Sequence, residues 1–428
     1  MGQLHHVTPS LSLLKFIDGC WKGTFFHSKE FETTMTYQSM AMLPQAQASL
    51  DHILHHRDAY LKDRADRHLG RRPLVVGVSG CQGSGKTTLC DTLAHILREE
   101  HNMNVVNFSL DDLYLTRADQ AHLAEANPGN RLLQYRGQAG SHDMALARSI
   151  FSKLLDKNAQ SNVPVAIPSY DKSLFGGLGD RLPKSSWKQV YPPYDVILFE
   201  GWMLGFKPLL NEQLEHVYRQ KSQENQQGHK NQLTEHPLAH IEKLNDKLVT
   251  YERELYPFMD IFIHLSPTDL EQVYQWRLQQ EHHMKQTRNV QGLSDEAVRA
   301  FVDTYMPAYE LYLPRLDRVG FFGQGDRGES LKGYEGPQRQ DGGYSGQERH
   351  LRLVLDQDRR LIRSQPMQER VVPNAPSDPS VSQSRGIAPK RLLFSCAMIG
   401  LLGLVGYSRR QRLMSVFSTL TRSFARKG

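Results

Sequence analysis

Residues 74–100 constrain the fold more than any other stretch of the chain. Leu74-Val75-Val76-Gly77-Val78 is a short apolar run of the kind that forms a buried strand. Gly80-Cys81-Gln82-Gly83-Ser84-Gly85-Lys86-Thr87-Thr88 follows and fits the pattern G-x-x-x-x-G-K-[ST]. From Thr88 to Glu100, apolar residues fall at Leu89, Leu93, Ile96 and Leu97, a spacing that predicts an amphipathic helix. Strand, glycine-rich loop and helix in that order make a phosphate cradle. Glycines let consecutive backbone N–H groups turn inward, and the helix N-terminus adds partial positive charge. In such a cradle Lys86 reaches the β- and γ-phosphates, and the Thr87 hydroxyl ligates Mg2+.

Further apolar runs extend the pattern: Val105-Val106-Asn107-Phe108-Ser109-Leu110, Tyr194-Asp195-Val196-Ile197-Leu198-Phe199, Ile261-Phe262-Ile263-His264-Leu265 and Leu351-Arg352-Leu353-Val354-Leu355. Helical spacing separates them. The alternation predicts an α/β protein of the P-loop NTPase type, a mainly parallel sheet flanked by helices. Residues 1–45 form an irregular extension, and a helix over about 46–70 leads into the core through Leu50, Ile53, Leu54 and Leu61. The catalytic domain spans 46–365. Within it the polar stretch 219–236 and the glycine-rich stretch 321–346 are expected to be mobile surface loops. Residues 366–389 read as a Pro/Ser/Gln-rich linker, and 390–428 as an apolar, basic tail.

Charge placement excludes one class. Residues 379–428 hold nine Lys and Arg and no Asp or Glu, so of the formal net charge of +6 the tail contributes +9 and residues 1–378 net −3. A mildly acidic body lacks the basic surface that dominates nucleic-acid binding. The four cysteines, Cys20, Cys81, Cys90 and Cys396, form no C-x-x-C pair and point to a reducing compartment such as the cytoplasm. His52, His55 and His56 have helical spacing without metal-site partners and are expected on a solvated helix face. The N-terminus has neither a secretory pattern nor a strong transit-peptide pattern.

The acids that follow the strands specify the chemistry. Asp111 and Asp112 stand at the end of the second strand, where an open parallel sheet lines its ligand crevice. A carboxylate there accepts a proton from an attacking hydroxyl. Neighbouring side chains on a strand point opposite ways, so one of the pair is the base and the other a metal-water, substrate or structural group. Asp111 is the preferred base, and a helix-capping pair is the alternative. Glu200 ends the third strand before Gly201-Trp202, the place of the acid that orders a Mg2+ shell. Two polar loops are candidate substrate contacts: Arg136 with His142, and Tyr170 with Lys172. Tyr114 follows the acid pair. Downstream, Arg277 and Lys285 are either lid cations that neutralise transition-state charge or members of a salt-bridged helix face.

Together these segments resemble the D-glycerate 3-kinases of plant and cyanobacterial type, a group related to phosphoribulokinase, uridine kinase and pantothenate kinase. The likeness covers about residues 50–365. It rests on Ser109-Leu110-Asp111-Asp112-Leu113-Tyr114-Leu115-Thr116, Asn127-Pro128-Gly129-Asn130, Arg136-Gly137 with Gly140-Ser141-His142-Asp143, and Tyr170-Asp171-Lys172-Ser173. It continues through Phe199-Glu200-Gly201-Trp202-Met203-Leu204-Gly205-Phe206, Val273-Tyr274-Gln275-Trp276-Arg277-Leu278-Gln279 and Tyr305-Met306-Pro307-Ala308-Tyr309. The resemblance implies Mg2+-dependent transfer of the ATP γ-phosphate to the 3-hydroxyl of D-glycerate, a photorespiratory step in oxygenic phototrophs. It also implies the chloroplast stroma as the location in a plastid-bearing host. Carried over by position, Lys86, Thr87, Asp111, Arg136, His142 and Glu200 are the working residues. A pantothenate or nucleoside kinase and a catalytically silent adaptor are the competing readings. In the tail, Leu392–Tyr407 is apolar but short for a membrane span. Leu413, Val416, Phe417, Leu420 and Phe424 share one face of a basic helical pattern. Peripheral membrane attachment and packing on protein are both open there.

Overall fold

The computed structural model describes residues 43–368, apart from 157, 160, 289–291, 324–342 and 345. Residues 1–42 of the N-terminal extension, most of the glycine-rich stretch, nearly all of the linker and the whole tail lie outside the described residues, and the last residues of the extension already belong to a helix. The described chain begins with α1 (Pro44–Asp66), β1 (Leu74–Gly80) and α2 (Lys86–Glu99). Next come β2 (Val105–Ser109), α3 (Arg117–Glu125) and α4 (Met144–Leu154). Four short strands follow: β3 (Val165–Ile167), β4 (Tyr170–Asp171), β5 (Asp180–Arg181) and β6 (Lys188–Val190). The core resumes with β7 (Val196–Gly201), α5 (Asn211–Gln226), α6 (Leu238–Glu254) and β8 (Ile261–Pro267). It closes with α7 (Glu271–Arg288), α8 (Asp295–Asp303), α9 (Met306–Val319), β9 (His350–Leu355) and β10 (Leu361–Met367).

Six strands form one sheet in the order β10-β9-β8-β1-β7-β2. All neighbours are parallel except β9 and β10, an antiparallel hairpin at the edge. β1, β7 and β8 are buried along their whole length, which is why they are continuous apolar runs without alternation. α1 and α2 pack on the sheet and on each other. α9 lies against the surface that presents Phe262, His264 and Ser266, where Asp317 accepts from Ser266 Oγ at 2.7 Å. Two short antiparallel ribbons, β3 with β6 and β4 with β5, stand outside the main sheet.

Several expectations need correction. Residues 219–236 are not a loop: α5 runs to Gln226, and Leu233–Glu235 make a 3-10 turn. Leu214 is the sole buried residue of α5, so the helix leaves almost no apolar period to read. The stretch after it is pinned from α9, where the Glu310 carboxylate accepts from Gln232 N and Leu233 N at 3.0 Å each. Of the α1 histidines, only His55 lies on an exposed face as expected. His56 is buried between Tyr344 OH and Glu348 O, at 3.1 and 3.2 Å, and His52 lies 3.3 Å from Arg349 O. The glycine-rich stretch is buried at Phe321 and Tyr344. The folded domain runs two residues past its expected end at 365, because β10 continues to a buried Met367. The second strand ends at Ser109, before the acid pair, which sits in a 3-10 turn over Leu110–Leu113.

Candidate active site

The phosphate cradle forms where β1 stops and α2 starts. Gly83 (φ +76°) and Gly85 (φ +92°) take backbone angles that side chains disfavour. At Gly83 there is also no room: a Cβ would sit 2.9 Å from the backbone and Cβ of Trp276 on α7. Lys86 Nζ donates to Cys81 O within its own loop at 3.2 Å. A neutral carbonyl is a weaker partner for an ammonium than a phosphate oxygen, so an entering nucleotide outcompetes it. Cys81 is 1 % exposed, and burial pushes its thiol up to about 12, so it is a packed side chain and not a reactive thiolate. Ser84 is buried, whereas Thr87 and Thr88 are exposed at the helix start.

Acidic groups converge on this cradle. Thr87 Oγ1 donates to Glu200 Oε1 at 3.0 Å. Burial raises the Glu200 carboxyl, against the pull of Lys86. Glu200 lies on β7 in register with Val78 of β1 and Ser109 of β2, so three strands aim at one spot. A hydroxyl and a carboxylate are hard oxygen donors, the set that takes Mg2+ when phosphates complete the shell.

The two aspartates have separate work. Asp111 Oδ2 pairs with Lys172 Nζ. Burial opposes ionisation of Asp111, but the charge and hydrogen bond of Lys172 outweigh it and hold the group at about 2. Asp112 Oδ2 accepts from Ser109 N at 2.9 Å, while Ser109 Oγ accepts from Asp111 N at 3.1 Å, a reciprocal cap on the turn. Burial, with Asp111 beside it, pushes Asp112 up to about 6. The capping alternative therefore describes Asp112, and the charged partner describes Asp111.

The remaining polar residues form a chain of contacts. Arg136 Nη1 donates to Gly177 O at 2.8 Å and to Leu178 O, and Nη2 donates to Lys172 O at 3.4 Å. Its guanidinium lies 5.6 Å from the centre of the Tyr170 ring. Tyr170 meets Tyr114 edge-on at 5.3 Å, and Tyr114 stacks on His142 at 4.4 Å. Arg136 thus shapes the backbone that carries Lys172. Arg277 is placed differently: it pairs with the buried Glu281 at 2.9 Å and lies over Phe301, and Lys285 Nζ donates to Leu293 O. The salt-bridged alternative describes Arg277 in this structure, while Lys285 is tied to a backbone carbonyl.

Three supports escaped sequence reading. Tyr309 OH accepts from Gln82 N at 3.1 Å and donates to Gln82 Oε1, clamping the cradle from α9. Arg359, in the turn between β9 and β10, donates from Nε to Gly83 O at 2.6 Å and from Nη2 to Trp276 O at 3.1 Å. Trp202 Nε1 donates to Gly137 O at 3.2 Å, with Tyr305 and Tyr309 edge-on to its ring. Tyr309 and Trp202 lie inside segments already singled out. Arg359 is one basic residue in a polar turn and gives no signal of its own.

A strand-flanked P-loop whose threonine bonds a strand-end glutamate, with an ionised aspartate across the crevice, defines a P-loop kinase. No family model matches the chain. It is 42 % identical over 246 residues to an uncharacterised kinase of Schizosaccharomyces pombe, covering 57 % of this chain and 83 % of that one. It is 40 % identical over 248 residues to the chloroplastic D-glycerate 3-kinase of Arabidopsis thaliana, covering 58 % of this chain and 49 %, about half, of the plant protein. The structure of a D-glycerate 3-kinase from Cryptococcus neoformans matches with a TM-score of 0.62 at 32 % identity, over 75 % of this chain and 99 % of that one. The chain belongs to the family of P-loop kinases that contains D-glycerate 3-kinase.

Proposed function

We propose that the protein transfers the γ-phosphoryl group of ATP to the 3-hydroxyl of D-glycerate, giving 3-phospho-D-glycerate and ADP. The observation that carries this reading is the Asp111–Lys172 pair beside the Thr87–Glu200 bond. It sets a base and a cation for a small acid next to a phosphate cradle. Backbone amides of residues 83–87 and Lys86 hold the nucleotide phosphates, and Thr87 and Glu200 hold Mg2+. When bound, Mg2+ neutralises charge on the β- and γ-phosphates. The acceptor carboxylate takes Lys172, which frees Asp111. Asp111 then accepts the 3-hydroxyl proton as that oxygen bonds to phosphorus and the bridging oxygen leaves with ADP. A nucleoside has no carboxylate for Lys172, which disfavours the uridine reading. Arg277 enters the proposal as a lid cation only if α7 shifts so that it exchanges Glu281 for phosphate.

The plant relative is chloroplastic, but the other two come from fungi, which lack chloroplasts. The likeness therefore supports the reaction and not a photorespiratory setting. Among the described residues no helix is long and apolar enough to cross a membrane. An ADP-release assay with Mg2+ and ATP across D-glycerate, pantothenate, uridine and ribulose 5-phosphate tests the reading. Turnover with D-glycerate alone is expected, and turnover with any of the others in its place refutes it.

A further inference from the structure

His142 follows the Arg136–Ser141 loop and is 4 % exposed. Its Nδ1 lies 2.6 Å from the hydroxyl of Tyr251, a buried residue of α6. That hydroxyl also accepts from Gly140 N at 3.0 Å. An amide can only donate, so it occupies a lone pair of the tyrosine oxygen. The tyrosine satisfies its single phenolic proton by donating it to His142 Nδ1, the nearer of these two partners. Burial keeps the phenol protonated and lowers the imidazole to about 3, so the ring is neutral. A neutral ring that accepts at Nδ1 carries its proton on Nε2. His142 Nε2 is buried and has no hydrogen-bond partner among the described residues. A buried N–H without a partner is costly, and a ligand oxygen is one way to satisfy it. The other groups that face the ring are Tyr114, stacked on it, and Asp111 and Lys172, whose charges it senses.

We infer that Tyr251 is a positioning residue that locks His142 in the Nε2–H tautomer, so that His142 donates a hydrogen bond to a carboxylate oxygen of the acceptor. This rests on the D-glycerate reading and assigns the second contact to the acid. Lys172 supplies charge without direction, and His142 supplies direction without charge. The opposite tautomer would present a lone pair to the carboxylate and repel it. Lys172, with 31 % of its side chain exposed, is the neighbour that an entering acceptor draws away from Asp111. The pairing makes this pocket selective for a small hydroxy acid over a neutral polyol of the same size.

Long-range 15N–1H spectra of the full-length enzyme, free of ligands, decide the tautomer. His142 is assigned among the 19 histidines by comparison with His142→Gln. A protonated Nε2 and an acceptor-type Nδ1 are expected, unchanged from about pH 5.5 to 8. A protonated Nδ1 overturns the inference whether or not D-glycerate is turned over. Failure of wild-type turnover with a protonated Nε2 refutes only the substrate reading. Adding D-glycerate should move the Nε2 proton downfield, and an unmoved signal in the presence of turnover overturns the contact. Tyr251→Phe should lose the tautomer preference and raise KM for D-glycerate about tenfold, with KM for ATP within about twofold. His142→Gln, which keeps an N–H near Nε2, should retain about tenfold more kcat/KM than His142→Leu. Equal loss in both, or an unchanged KM in a folded Tyr251→Phe, sinks the assignment.

Discussion

Asp111 and Asp112 are adjacent in sequence and opposite in electrostatics. Asp111→Asn should lower kcat by about 10²–10⁴ with little change in KM for ATP, read by steady-state kinetics. Asp112 titrates near 6 in the fold against an ordinary value of 3.8. A raised acid favours the fold below about pH 3.8, and that contribution is lost as pH rises through 6. At neutral pH the charged Asp112 is therefore a liability, and Asn keeps its bond from Ser109 N. Asp112→Asn should stabilise the ligand-free enzyme by about 1–2 kcal/mol at pH 7, after allowance for partial exposure, with the gain gone near pH 4. Urea unfolding at the two pH values measures it. That Thr87 and Glu200 meet beside the loop was legible, because the loop and the strand end hold them at fixed places in the pattern. Tyr251 and Arg359 were not, because they act on residues 109 and 276 positions away in the chain.

The cradle is held by elements remote from it in sequence. α7 lays Trp276 on Gly83, and the β9–β10 turn ties both through Arg359, while Trp276 Nε1 donates back to Gln357 O at 2.8 Å. Arg359→Ala should raise KM for ATP about tenfold or more and spare KM for D-glycerate, in a kinetic series with each substrate varied. Gly83→Ala meets both a crowded backbone and a disfavoured φ, and should abolish nucleotide binding in a titration. The five parallel strands were readable because each is a mainly apolar run. β3 to β6 were too short to carry a period. β10 is exposed along five consecutive residues, so composition made it resemble a linker. α5 failed for the complementary reason, being a helix with one buried side chain.

At the scale of the molecule, the sheet grows outward from β1, and its far edge is finished by the antiparallel β10. An edge strand whose last residue, Met367, is buried belongs to the folded body. Truncation after Gln368 should leave turnover within about twofold of wild type and Tm unchanged, whereas ending the chain at Arg360 removes an entire strand and should unfold it. Circular dichroism and the ADP-release assay distinguish the two. The ion pair between Lys172 and Asp111 has one more consequence. Under the proposed reaction, the Asp111 carboxylate is already occupied by an ammonium while no hydroxy acid is present. On that reading a water molecule drifting into the acceptor position finds Asp111 engaged, and the proposed base would be withheld from futile hydrolysis of ATP until the acid arrives.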